Sequence, residues 1–188
     1  YVAIIDYKTG KDKESLDNLI YGENLQLPVY IYLLKNDSEF KHANLVGFYL
    51  QKINIVLPKK GDGSLEEQIQ KNLRLEGYTH PDYVDYIDDN RGEYLKNYKE
   101  NKDTSVSKSS KIFNDKDVED LFELVSKKVD EAYNGIMNAN FDITAKRIDG
   151  VNISCEYCPF VDCCYKTDKD IVELKGKKWK EEDENANE

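Results

Sequence analysis

The chain has 188 residues, 39% of them hydrophobic, with 14 Tyr and 6 Phe, enough for one respectable core and no need of several domains. No apolar stretch approaches the roughly 20 residues needed to span a bilayer, and no signal-peptide pattern appears, so membrane and secreted classes are set aside and a soluble, intracellular protein is expected. The formal net charge of −10 argues against a free-standing nucleic-acid binder, which normally carries a basic excess, but it suits a chemistry that needs clustered carboxylates.

In chain order, Tyr1 to Tyr7 (YVAIIDY) is a continuous β-branched and aromatic run bounded by Thr9-Gly10, the pattern of a central strand buried on both faces. The chain opens directly inside this run and Met137 is its only methionine, so a piece of a longer polypeptide is expected. A helix capped by Asn24 is predicted through Lys35, with Pro28 near its first turn and Leu25, Val29, Tyr32 and Leu33 on one side. Leu45 to Leu57 reads as a second strand. Val46, Phe48 and Leu50 share one face while Ile53, Ile55 and Leu57 fall in the opposite phase, which predicts a bulge near Gln51 or Lys52.

From Pro58 to Lys111 the pattern is weak, with a Gly61-Asp62-Gly63 turn, short aromatic-acidic segments such as Tyr83 to Asp89, and a Ser/Lys-rich run from Lys102 to Lys111 expected to be mobile. The positions Val118, Leu121, Phe122, Val125, Val129, Ala132, Tyr133 and Ile136 then repeat at helical spacing and predict a long amphipathic helix from Asp115 to Asn138. A turn at Asp149-Gly150 leads into four cysteines. Lys175 to Glu188, basic around Trp179 and acidic from Glu181, reads as a solvated end. The total is a mixed α/β fold.

Asp6 and Lys8 stand two residues apart at the end of the first strand, so their side chains project from the same face. A carboxylate there can hold a divalent cation, and a lysine beside it can stabilise the charge that develops as water attacks a phosphodiester. Magnesium or manganese suits such an oxygen site better than zinc. Asp-x-Lys alone is also a common surface ion pair. Gln26 and Tyr30, at i and i+4 on the next helix, would share one helix face.

Cys155, Cys158 and Cys164 form C-x2-C-x5-C, with Cys163 as an adjacent extra thiol, and soft thiolates this close favour zinc or an iron–sulfur cluster equally. A disulfide scaffold is disfavoured in a chain otherwise free of cysteine. His42 and His80 read as ordinary loop residues, and Asp82, Asp85, Asp88 and Asp89 as a solvated acidic face. No G-x-x-x-x-G-K-[ST] stretch occurs.

The Asp6-Tyr7-Lys8-Thr9-Gly10 strand end and the Gln26-x-x-x-Tyr30 helix together resemble the RecB family of PD-(D/E)XK nucleases, and with the cysteines they are closest to the nuclease domains of AddB-type helicase-nucleases. The resemblance implies a restriction-endonuclease-like α/β core, a mixed sheet flanked by helices with a C-terminal cysteine cluster. Residues 1–166 would be a partial nuclease domain including the motif at 155–164, and 167–188 a charged tail. It implies that Asp6 binds Mg2+ or Mn2+, that Lys8 is the catalytic lysine, and that Gln26 and Tyr30 orient the lysine, DNA or water. Cys155, Cys158 and Cys164 would ligate a structural [4Fe–4S] cluster, with Cys163 a possible substitute. The family's first carboxylate and its upstream cysteine are missing here, so each site is incomplete. The implied function is metal-dependent exonuclease action on DNA in double-strand-break repair and recombination, in the bacterial cytoplasm, with an AddA-like partner and no membrane. The alternatives are a catalytically silent module that holds DNA or stabilises the assembly, and a free-standing relative akin to CRISPR-adaptation nucleases.

Overall fold

The computed structural model describes residues 1–10, 15–53, 61, 63–142, 144–156 and 158–180. Instead of the one expected domain, the chain makes two compact units, Tyr1–Ser15 with Asn24–Ser126, and Leu16–Glu23 with Lys127–Glu188.

In the first unit, β1 (Val2–Lys8), β2 (Leu45–Lys52) and β3 (Glu76–Thr79) form a sheet in the order β1-β2-β3. β1 and β2 run parallel, which requires a crossover, and α1 (Gln26–Asn36) lies on that connection and packs against β1. The central strand is β2, buried continuously from Leu45 to Leu50. β1 is instead an edge strand of this sheet, alternately half-buried and exposed, with Tyr7 62% exposed. A run of β-branched residues looks alike in sequence at either place, because its apolarity does not say which neighbours cover it.

Register runs unbroken from Ala3↔Gly47 to Lys8↔Lys52, and the one irregularity falls between Val2 and Ala3. No bulge therefore forms at Gln51 or Lys52. β2 simply ends there, with the Ile53 N–H donating to the Lys8 carbonyl at 3.0 Å, while Ile55 and Leu57 lie outside the described residues. Gly47 is required by its neighbour, since a Cβ there would collide with the Tyr49 ring, whose hydroxyl reaches Thr79 Oγ1 at 3.1 Å.

α1 begins later than expected. Asn24 has φ +56° and Leu25 occupies the cap position without a side-chain bond. Its buried face is Leu27, Pro28 and Ile31, while Leu33 is 56% exposed, so the apolar side predicted from Leu25, Val29, Tyr32 and Leu33 is rotated away from the core.

The weakly patterned stretch is largely built. α2 (Leu65–Asn72) starts at a reciprocal Ser64–Glu67 cap, and Gly61 and Gly63 both have positive φ, Asp62 between them lying outside the described residues. Behind the sheet, Tyr49, Leu75, Val84, Leu95 and Tyr98 form a buried cluster. The Ser/Lys-rich run is ordered, not mobile. Ser107 N–H donates to Lys99, Lys111 N–H to Asn97, and Glu100 bridges to Val106.

The acidic group is also not uniformly solvated. Asp85 is exposed and held below the usual carboxylate range by hydrogen bonds from Arg91, whereas Asp88 is 1% exposed and its Oδ2 accepts N–H bonds from Gly92, Tyr94 and Leu95. His80 is likewise no ordinary loop residue. It is buried, caps Asp82 N–H through Nδ1 and stacks on Tyr83 at 4.3 Å, while His42 is exposed.

α3 (Asp115–Met137) matches the predicted long helix, with Val118, Leu121 and Val125 buried and Val129, Tyr133 and Ile136 exposed. In the second unit, β4 (Ala145–Ile148) pairs antiparallel with β5 (Val151–Asn152) across the expected Asp149-Gly150 turn, where both residues have positive φ. β6 (Ile171–Leu174) pairs parallel with β4. Much of the segment read as a charged tail is thus structured. Beyond β6, Lys177 N–H donates to Asn18 Oδ1 and the Tyr21 hydroxyl to the Lys175 carbonyl; the acidic block from Glu181 lies outside the described residues. Among the described residues no helix is long and apolar enough to cross a membrane.

Candidate active site

The end of β1 and the start of α1 bring four predicted residues together. Lys8 Nζ donates to Gln26 Oε1 at 2.5 Å, and Gln26 Nε2 donates to Asp6 Oδ1 at 3.2 Å and to the Tyr30 hydroxyl at 3.1 Å. Asp6 and Lys8 share a sheet face by the period of two, and Gln26 and Tyr30 share a helix face by the spacing of four. Gln26 is the joint. Its carbonyl takes the lysine and its amide takes the acid, so one side chain fixes both.

Asp6 Oδ2 lies 3.0 Å from Lys8 Nζ, yet it is buried and no hydrogen bond is aimed at it. Burying a carboxylate oxygen without a donor is costly, which leaves this atom with coordination to give. Its hard oxygen chemistry fits a divalent cation of the magnesium type as one ligand among several. Tyr30 accepts from Gln26, so its own O–H is the donor left over, and the residue is 37% exposed.

The four cysteines are free thiols in the second unit, Cys155, Cys158 and Cys164 partly buried and Cys163 exposed. Asn152 Oδ1 accepts from Cys155 N–H at 2.9 Å, and successive turns follow through Cys158 and Cys163. Soft donors of this kind suit zinc or iron–sulfur chemistry. The arrangement does not yet gather them, however. Among the described residues no three carboxylate, imidazole or thiolate side chains converge as a metal-binding group, and Tyr157 of the motif lies outside those residues.

Sequence reasoning missed one neighbour of the site. Glu76, at the start of β3, is 8% exposed and its Oε2 accepts from Lys52 at 3.3 Å and Lys96 at 2.6 Å. Burial alone would raise its carboxyl, but the two lysines outweigh that and hold it below the usual range. The signal was faint, a single acid opening a four-residue strand that follows α2 almost directly.

Because Gln26 holds both reacting groups, Gln26→Ala is expected to lower cleavage about tenfold or more through misplacement of Lys8 and Asp6, and kcat should fall more than KM rises.

A model of the PD-(D/E)XK nuclease superfamily matches residues 1–165. The chain is also similar to the AddB-type ATP-dependent helicase/deoxyribonuclease of Carboxydothermus hydrogenoformans, 30% identical over 181 residues that cover 87% of this chain and 16% of the relative. The protein of the same name from Alkaliphilus oremlandii is 28% identical over 191 residues, 91% of this chain and 17% of the relative. That from a Thermoanaerobacter species is 29% identical over 174 residues, 87% and 15%. The chain thus spans about a sixth of the length of these relatives.

Proposed function

The chain belongs to the PD-(D/E)XK nuclease superfamily, and on that premise we propose that it contributes the acid–lysine half of a metal-dependent DNA exonuclease site in a helicase-nuclease of double-strand-break repair and recombination. The observation that supports this most is the closed set of bonds among Asp6, Lys8, Gln26 and Tyr30.

In this reading Asp6 would hold Mg2+ or Mn2+ through its unpartnered Oδ2, together with a second carboxylate from the longer polypeptide. When bound, the cation supplies Lewis-acid stabilisation of the phosphodiester and a lowered pKa for attacking water. Lys8, fixed by Gln26, lies where its ammonium can neutralise charge developing on the phosphate during in-line displacement. Gln26 keeps that ammonium from swinging away, and Tyr30 donates its hydroxyl hydrogen to a phosphate oxygen or water. The names of the relatives extend the proposal to an AddA-like partner and a cytoplasmic setting.

Cys155, Cys158 and Cys164 would be three ligands of a structural [4Fe–4S] cluster whose fourth thiolate comes from upstream in the longer polypeptide, Cys163 being the possible substitute. It follows that Cys155→Ser in that polypeptide should lower bound iron well below four per molecule, while this chain alone should purify without a four-iron chromophore. Visible absorbance and iron content of both preparations read the result.

The second reading, a silent module that holds DNA, differs in its response to metal. In the polypeptide that carries this chain, linear DNA should be degraded with magnesium, spared after chelation, and degraded again when magnesium or manganese is returned. Retention of DNA with no cleavage under any of these conditions would favour the silent module.

A further inference from the structure

We propose that Lys52 and Lys96, anchored together on buried Glu76, form a phosphate-binding site that grips the DNA backbone beside the scissile position. This rests on the nuclease reading of Asp6 and Lys8 and extends it to how the substrate is held.

Sheet register places the groups. Lys8 pairs with Lys52 and Asp6 with Leu50, which in turn pairs with Glu76, so Asp6, Lys8, Lys52 and Glu76 belong to one face at one end of the sheet. The Leu75 N–H donates to the Tyr94 carbonyl and the Lys96 N–H to the Leu75 carbonyl, both at 2.8 Å, so Lys96 runs along the far edge of β3. Across this face the order is therefore Lys8, Lys52, Glu76, Lys96, each step about one strand spacing of 4.8 Å. A DNA strand with one phosphate at Lys8 that follows the row presents a neighbouring phosphate to the lysine pair.

The charges agree with that use. Both ammonium groups lie on the same Glu76 oxygen, at 3.3 and 2.6 Å, and two cations on one carboxylate leave a net positive charge. Lys8 and Asp6 cancel each other, so the excess lies beside the cutting position and not on it. In a chain of net charge −10 a local positive surplus is the exception. Stability gives little reason for it, because a buried ion pair roughly balances its own desolvation. Glu76 is 10% exposed at its side chain whereas Lys96 is 50% exposed, an anchor below with a cation presented above.

The test uses the polypeptide that carries this chain, with linear single-stranded DNA and magnesium, and records kcat and KM against salt for wild type, Lys52→Ala, Lys96→Ala, the double variant and Lys96→Arg. Each alanine should raise KM about fivefold at roughly 0.1 M salt and reduce the salt slope of log KM by roughly 0.7, the share of one phosphate contact on a single strand. Lys96→Arg should restore the slope, because it keeps the charge. kcat should fall less than KM rises. A double variant that cleaves with the wild-type slope overturns the proposal, and so does a Lys96→Arg as impaired as Lys96→Ala, which would mark a purely structural role. If the wild type itself fails to cleave, the nuclease reading fails instead, and the slope is read from retention of the same DNA without divalent metal. An unchanged slope there overturns the phosphate site by itself.

Discussion

Lys8→Ala in the polypeptide that carries this chain should lower kcat for DNA cleavage about 10²- to 10³-fold, the usual cost of losing one preorganised group aimed at charge that develops in the transition state. Lys8 is held for that task. Its Nζ is bonded to Gln26 at 2.5 Å and lies 3.0 Å from Asp6, and its side chain is only 22% exposed. KM should change little, because the interaction strengthens as charge builds and is weak in the ground state. Lys8→Arg should not rescue the rate, since a planar guanidinium cannot take the place of a point charge braced by one amide oxygen. Steady-state kinetics on linear DNA decide it. A Lys8→Ala variant within a few-fold of wild type would remove the lysine from the chemistry.

Asp88→Ala should cost about 3–5 kcal/mol of stability. Asp88 Oδ2 takes the N–H groups of Gly92, Tyr94 and Leu95 at 2.9, 2.9 and 3.2 Å, and the residue is 1% exposed. Removal strands three buried donors at once, each costing about 1–3 kcal/mol less whatever water recovers. The turn they define delivers Leu95 and Tyr98 to the cluster behind the sheet and Lys96 to Glu76, so packing is lost with it. Asp88→Asn keeps one acceptor oxygen and should cost less, about 1–2 kcal/mol. Urea unfolding of the chain, read as a change in midpoint at constant slope, measures both. Equal and small effects would mean that the turn is held by something other than this carboxylate.

What could be read from the sequence was what local pattern determines. Asp6 and Lys8 share a face because strands alternate, Gln26 and Tyr30 because helices repeat, and α3 announced itself through eight apolar positions at helical spacing. What could not be read was set by contacts between distant residues. β1 has the composition of a central strand but the sheet order of an edge, and only pairing with β2 decides that. Asp88 looks like its exposed neighbours Asp85 and Asp89, because its three partners lie four to seven residues ahead in a loop with no period. Glu76 joins the site only through the register of β3 on β2 and through Lys96, twenty residues later. The Ser64-x-x-Glu67 cap of α2 was legible and passed over.

The reading of Asp6 as the metal-binding carboxylate is tested most directly by Asp6→Ala in the polypeptide that carries this chain, assayed on linear DNA with saturating magnesium alongside strand separation by the same preparation. Cleavage should disappear while unwinding continues at the wild-type rate. Degradation of DNA at the normal rate by Asp6→Ala would contradict the assignment of this site.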